Sequence, residues 1–150
     1  MEPAVPLRRV LLATDLSPAS EHAATEAIAL AVESGAVLLV LSVIDPGLLR
    51  LPGGRFLRRV DQERARIEAG TRALVARARA QGVQATFLVW EGDPAEAILA
   101  AADAEGIDLI VLGSHERGPL GRFVLGSTSA AVSEAALCRV LVAGGHLAAR

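Results

Sequence analysis

"VLGSHERGPLGRFVLGSTSAAV", residues 111–132, starts as the end of an apolar strand and finishes as the start of a helix. Glycines stand at 113, 118, 121 and 126, and the run Ser127-Thr128-Ser129 follows the last of them. Arg117 and Arg122 lie inside the loop beside an acid, Glu116. A strand, a glycine-rich loop and a helix can hold a phosphate, because glycine lets backbone N–H groups approach an anion and the helix adds its positive end. The same composition also suits a plain connection, so the spacing has to decide.

Two common phosphate patterns fail. No G-x-G-x-x-G occurs, and residues 121–128, "GRFVLGST", fit a P-loop except that Ser127 stands where lysine belongs. Without that ammonium there is no point charge for the terminal phosphates. A third pattern, G-x2-G-x9-G-[ST], keeps its spacing through Gly113, Gly126 and Ser127, with Glu116 in place of the second glycine. If the backbone at 116 needs a positive φ, a glutamate there is strained, and its charge sits near the phosphates.

Working outward, the segments around this loop alternate. Residues 107–113, "IDLIVLG", read as a strand, residues 130–137 as a helix, and "CRVLVAG" as a final strand. Upstream, "GDPAEAI" is a capped helix start, with Asp93 at the cap, Pro94 first in the helix and Glu96 three after the cap. "VQATFLVW" precedes it as a strand. A long helix runs from about Gly54 to Ala80, with Val60, Ile67 and Leu74 seven apart on one side. "AVLLVLSVID" is apolar on both faces, as a central parallel strand should be. Before it, Ser17-Pro18 opens a helix carrying Ala24, Ala27, Ile28 and Ala31, and "RRVLLATD" supplies the first strand.

The order is five strands and four helices in strict alternation. It predicts a single α/β domain over residues 1–150, with a five-stranded parallel sheet, helices on both faces and right-handed crossovers. Ligands of such sheets bind beyond the carboxyl ends of the strands, where the strand order reverses. Strands one and four are the expected neighbours there, which brings Asp15 close to the glycine loop.

Bulk composition narrows the function. With 52% apolar and 21% charged residues the chain is globular, and a net charge of −2 argues against a nucleic-acid protein. All 15 basic residues are arginine, so every mechanism that needs a lysine is excluded, including that of a response regulator. One cysteine, Cys138, forms no intramolecular disulfide and points to a reducing compartment. The longest apolar region, residues 36–44, is about half the ~20 residues of a membrane-spanning helix. The start carries an acid at once and does not resemble a signal peptide, so a cytoplasmic protein is expected. No G-x-S-x-G elbow and no cluster of metal ligands occurs, so catalytic and metal-binding residues are none, and any ATP hydrolysis is expected to be slow. The segment between Arg50 and Arg79 holds nine arginines against Asp61, Glu63 and Glu68, a local charge of +6. It reads as a basic helix face suited to an acidic protein partner.

Over its whole length the chain resembles the universal stress protein family. The resemblance rests on Thr14-Asp15 after the first strand, "SVID" after the second, "GDPAEAI", and the 111–132 stretch with its G-x2-G-x9-G-[ST] spacing. It implies the five-stranded α/β fold and a homodimer made through the last strand. It further implies an ATP-responsive regulator of the stress response, whose implied ligand is ATP, with or without Mg²⁺, or AMP or another adenine nucleotide. The positions carried over are Ala13 and Asp15, with Asp15 at the nucleoside, and Val43 beside the base. Gly113, His115, Gly126, Ser127 and Thr128 match the phosphate and ribose positions. Within the same family a nucleotide-free interaction module is the alternative. Glu116 is the departure from the pattern.

Overall fold

The structure, a computed structural model, describes residues 6–45, 55–113, 116–117, 123–124 and 126–143. The chain runs β1 (Arg9–Ala13), a 3-10 turn (Pro18–Ser20), α1 (Glu21–Ser34), β2 (Val37–Ile44), α2 (Arg55–Ala80) and β3 (Ala85–Glu91). It continues through α3 (Pro94–Ala104), β4 (Leu109–Gly113), β5 (Glu116–Arg117), β6 (Phe123–Val124), α4 (Ser127–Ala135) and β7 (Arg139–Ala143). The sheet has five strands in the order β3-β2-β1-β4-β7, and every pairing in it is parallel. This is the doubly wound α/β architecture that the alternation predicts.

Strand alternation builds two core layers. On β1, Val10 and Leu12 face one way, joined by Leu38, Val40 and Val111, and pack on α1 and α2 through Ala24, Ala27, Ile28, Val75 and Ala78. Leu11 and Ala13 face the other way, with Leu39, Leu41, Ile110 and Leu112, against Ile98 and Ala101 of α3 and Val132 of α4. The alanine-rich faces of α1 and α3 carry little side-chain volume, so these helices can approach the sheet closely. Both layers are apolar, which is why the central strands read as continuous hydrophobic runs rather than alternating ones.

β1 and β4 are neighbours in the register Val10↔Leu109, Leu11↔Ile110 and Leu12↔Val111. The chain moves outward from β1 to β2 and β3, then returns to the other side at β4. The strand order therefore reverses between β1 and β4, and the carboxyl ends of the two strands open a crevice there.

Several local readings need correction. α4 begins at Ser127, three residues before the expected start, and ends at Ala135; Ala136 is extended and Leu137 is 98% exposed. Its first turn is the Ser127-Thr128-Ser129 run, which a tally of helix formers undervalues although serine and threonine suit a helix start. Pro18 opens a 3-10 turn and α1 proper begins at Glu21. The 111–132 loop contains a two-residue antiparallel ladder, Glu116↔Val124 and Arg117↔Phe123. Glu116 therefore has an extended backbone, and the strain feared for a glutamate there does not arise. The expected cap of α3 is present: Asp93 Oδ2 accepts from Glu96 N at 3.0 Å, with Pro94 first in the helix.

Candidate functional site

The turn after β1 is organised by its own short polar side chains. Thr14 Oγ1 accepts from Leu16 N at 3.0 Å and lies 3.0 Å from Ser20 Oγ, which donates to Ser17 O at 2.8 Å. Asp15 Oδ1 accepts from Ser17 N at 2.9 Å, an Asx turn. Leu16, at φ +64°, is the one non-glycine residue with positive φ among the described residues. Its side chain presses on α2 at Gly70, where an added Cβ would stand 2.7 Å from Leu16 Cδ1. Glycine at 70 is thus a matter of space, and the turn is wedged against α2.

α2 is tied to β2 at the same level. Thr71 Oγ1 donates to Ile67 O at 2.6 Å and lies 3.0 Å from Ser42 Oγ, both side chains being buried. On the other side of β1, Ser129 Oγ donates to Gly113 O at 2.7 Å, which fastens the first turn of α4 to the end of β4. That hydroxyl is engaged within the fold. Gly126 is the N-cap residue of α4 and supplies no side-chain cap, so the first amides of the helix have no such partner.

These elements surround a cleft of about 420 Å³ at the carboxyl ends of β1, β2 and β4. Of the expected positions, Ala13, Asp15, Val43, Gly113 and Thr128 line it together. Gly126 and Ser127 stand at the head of α4 next to Thr128 but do not line the cleft. His115, like Gly118 and Arg122, lies outside the described residues. Apolar walls come from Leu41, Ile44, Ile67, Pro94, Ile98 and Leu112. Asp45, Glu63 and Arg66 also line the cleft and were missed as site residues. Glu63, Arg66 and Ile67 are a helical i, i+3, i+4 set, which shows that they share a face but not what that face meets.

Among the described side chains of α2, most arginines are engaged inside the chain. Arg66 pairs with Glu63 at 2.9 Å, Arg64 with Glu91 and Glu68, and Arg77 with Glu21 at 2.6 Å. Arg72 lies 5.4 Å over the Phe87 ring, and Arg79 donates to Ala85 O at 3.0 and 2.8 Å. The hydrogen bonds from Arg66 hold the Glu63 carboxyl below the usual carboxylate range, and those from Arg77 do the same for Glu21. Among the described residues no group of three or more His, Cys, Asp or Glu could hold a metal ion, and no helix is long and apolar enough to cross a membrane.

Comparison with known proteins fits this geometry. The model of the universal stress protein family matches residues 6–144. A universal stress protein of Thermus aquaticus is 37% identical over 138 residues, covering 90% of this chain and 97% of that protein. Among solved structures, UspA from Lactobacillus plantarum superposes with a TM-score of 0.83 at 27% identity, over 93% of this chain and 99% of its own. A universal stress protein crystallised in complex with cAMP superposes with a TM-score of 0.69 at 28% identity, over 92% of this chain and 97% of its own.

Proposed function

This chain belongs to the universal stress protein family, and on that premise we propose that it is an adenine-nucleotide-binding regulator of the stress response. The observation that carries the reading is the convergence of Asp15, Val43, Gly113 and Thr128, from four separate segments, on one cleft at the reversal of strand order. Its volume, about 420 Å³, lies in the range of small-molecule sites. The cAMP complex of a relative at 28% identity supports the ligand class.

The chemistry of the lining suits the parts of a nucleotide. Val43, Ile44, Pro94 and Ile98 offer an apolar slot to the base, and the Asp15 carboxylate can accept from ribose hydroxyls or ring N–H groups. The head of α4 offers main-chain N–H groups and the Thr128 hydroxyl to phosphates. ATP is the proposed physiological ligand, and Mg²⁺ would arrive with its triphosphate. Among the described residues the lining holds no nucleophile poised beside a general base, and in this reading occupancy rather than turnover is the signal.

Occupancy acts on an assembly in this reading, and the assembly is a homodimer through β7. That strand pairs with β4 on one side, and among the described residues nothing pairs with its other edge. Val140, Leu141 and Val142 are only half-buried. An unpaired apolar edge is a ready template for a second copy. A cytoplasmic setting fits the half-buried thiol of Cys138. An acidic partner on α2 would have to displace the pairs made by Arg64, Arg66 and Arg77, which weighs against that surface.

Calorimetric titration with cAMP, AMP and ATP, together with the mass of the particle in solution, tests the reading. Saturable binding of an adenine nucleotide is expected. A dimer that binds none of the three up to millimolar concentration leaves the nucleotide-free interaction module as the function.

A further inference from the structure

α2 brings Glu63, Arg66 and Ile67 to the cleft from one helix face. Ile67 is buried and backs the apolar wall. Arg66 stands at the rim, its side chain 56% exposed against 26% for Glu63. The guanidinium is nevertheless held. Its Nε donates to Glu63 Oε1 and its Nη2 to Glu63 Oε2, each at 2.9 Å. Two parallel bonds of this kind fix the plane of the group as well as its position.

A cation on the wall of a nucleotide cleft can serve as a counter-charge for phosphate or as a flat surface for the base. The surrounding charges decide between these roles. Asp15, Asp45 and Glu63 line the cleft with Arg66, so among the described residues three carboxylates share this region with one guanidinium. Asp15 and Glu63 both strengthen the hold of Arg66 on its proton, which places the Asp15 carboxylate within electrostatic reach. An incoming phosphate would meet excess negative charge here, whereas the head of α4 offers amides. A guanidinium already matched by a carboxylate keeps its planar face, and that face stacks on aromatic rings.

We propose that Arg66, held flat by Glu63, is the outer wall of the nucleoside half of the cleft and stacks on the face of the adenine base. The inference rests on the nucleotide reading above and adds a specificity-determining residue to it. Arg66 then recognises the base and contributes nothing selective for phosphate number. Glu63 is a positioning residue that acts through Arg66.

Calorimetry with AMP and ATP on the wild type, Arg66→Ala, Arg66→Lys and Glu63→Gln, at low and high salt, tests the assignment. Arg66→Ala should weaken AMP and ATP by the same factor, about twofold to thirtyfold, with little dependence on salt. Arg66→Lys should lose as much, because it keeps the charge and loses the plane, and Glu63→Gln should show a smaller loss in the same pattern. Melting temperatures close to that of the wild type are expected for the Arg66 variants, since an exposed ion pair of this kind adds little stability. A larger loss for ATP than for AMP that shrinks with salt, full affinity in Arg66→Lys, or no loss in Arg66→Ala would each overturn the proposal while leaving the nucleotide reading intact. A wild type that binds neither ligand would overturn both.

Discussion

The two halves of the cleft are built by different means. On the side of β1, β2 and α2, side chains lock one another: Thr14 with Ser20, Ser42 with Thr71, Glu63 with Arg66, and Leu16 against Gly70. On the side of β4 and α4 the main chain does most of the work. There Ser129 ties the helix to Gly113 O, and the first amides of α4 have no side-chain cap. The first half has a preset shape, which suits a rigid ring and a ribose. The second offers main-chain donors at the head of α4, which suit phosphate oxygens. If the cleft takes a nucleotide as proposed, base identity and phosphate count are read at separate places and should respond to separate mutations.

A change to the shared floor should damage both halves and is the largest effect expected. Leu112 lines the cleft and is buried in the α3–α4 layer. Leu112→Ala should cost about 2–5 kcal/mol of stability, the usual range for emptying such a site. Urea denaturation checks this, and a loss below about 1 kcal/mol would mean that the floor closes over the cavity.

Asp15→Ala should strike the nucleoside half alone. Loss of a carboxylate acceptor is expected to weaken AMP and ATP equally, by about 1–3 kcal/mol. Thr128→Ala should strike the phosphate half, weakening ATP more than AMP, by about 0.5–1.5 kcal/mol for one neutral donor. If both variants gave the same AMP-to-ATP pattern in calorimetry, the division of the cleft would be wrong.

Acid should loosen three carboxyl contacts, of which the one at Glu63 belongs to the cleft. Glu63 and Glu21 are held below their unfolded values by Arg66 and Arg77, and Asp108 by the main-chain N–H groups of Arg8 and Arg9. A carboxyl with a depressed folded pKa contributes stability that is full above its unfolded pKa and is lost as pH falls through the folded one. The melting temperature should therefore fall below about pH 4, near the unfolded carboxyl values. Asp108→Asn should show a shallower decline than the wild type, and an identical decline would remove Asp108 from the account. The lining contributed by β4 and α4 has no titratable side chain among the described residues and should not add to the slope.

The smallest effect concerns Glu116. Its extended backbone removes the steric objection and leaves only charge. Glu116→Gly should tighten ATP relative to AMP by about 0.2–1 kcal/mol, the size of a solvent-screened charge interaction. The gain should shrink as salt is raised, and a gain that resists salt would point to a shape change in the loop instead.

What could be read in the sequence divides along the same line. β1, β2 and β4 were legible as apolar runs, and the cap at Asp93 marks the start of α3 locally. The pairing of β1 with β4 followed from alternation and placed Asp15 near Gly113 correctly. The role of α2 was not legible, because helical spacing shows which residues share a face and not which wall they meet. Glu63 and Arg66 therefore counted only as members of a charged stretch. The arginine partners Glu21, Glu91 and Phe87 lie far away in sequence and were equally hidden. The start of α4 and the β5–β6 ladder were missed for a different reason. Serine, threonine and glycine suit both loops and the ends of regular elements, so composition alone did not separate them.

The central claim is that one cleft between β1 and β4 receives the nucleotide, and amide chemical shifts during an AMP titration test it most directly. Saturable shifts are expected at Asp15, Val43, Gly113 and Thr128, and at Arg66 on α2, all with one dissociation constant. Shifts confined to the opposite end of the sheet, or to the surface around Leu137 and Cys138, would contradict it.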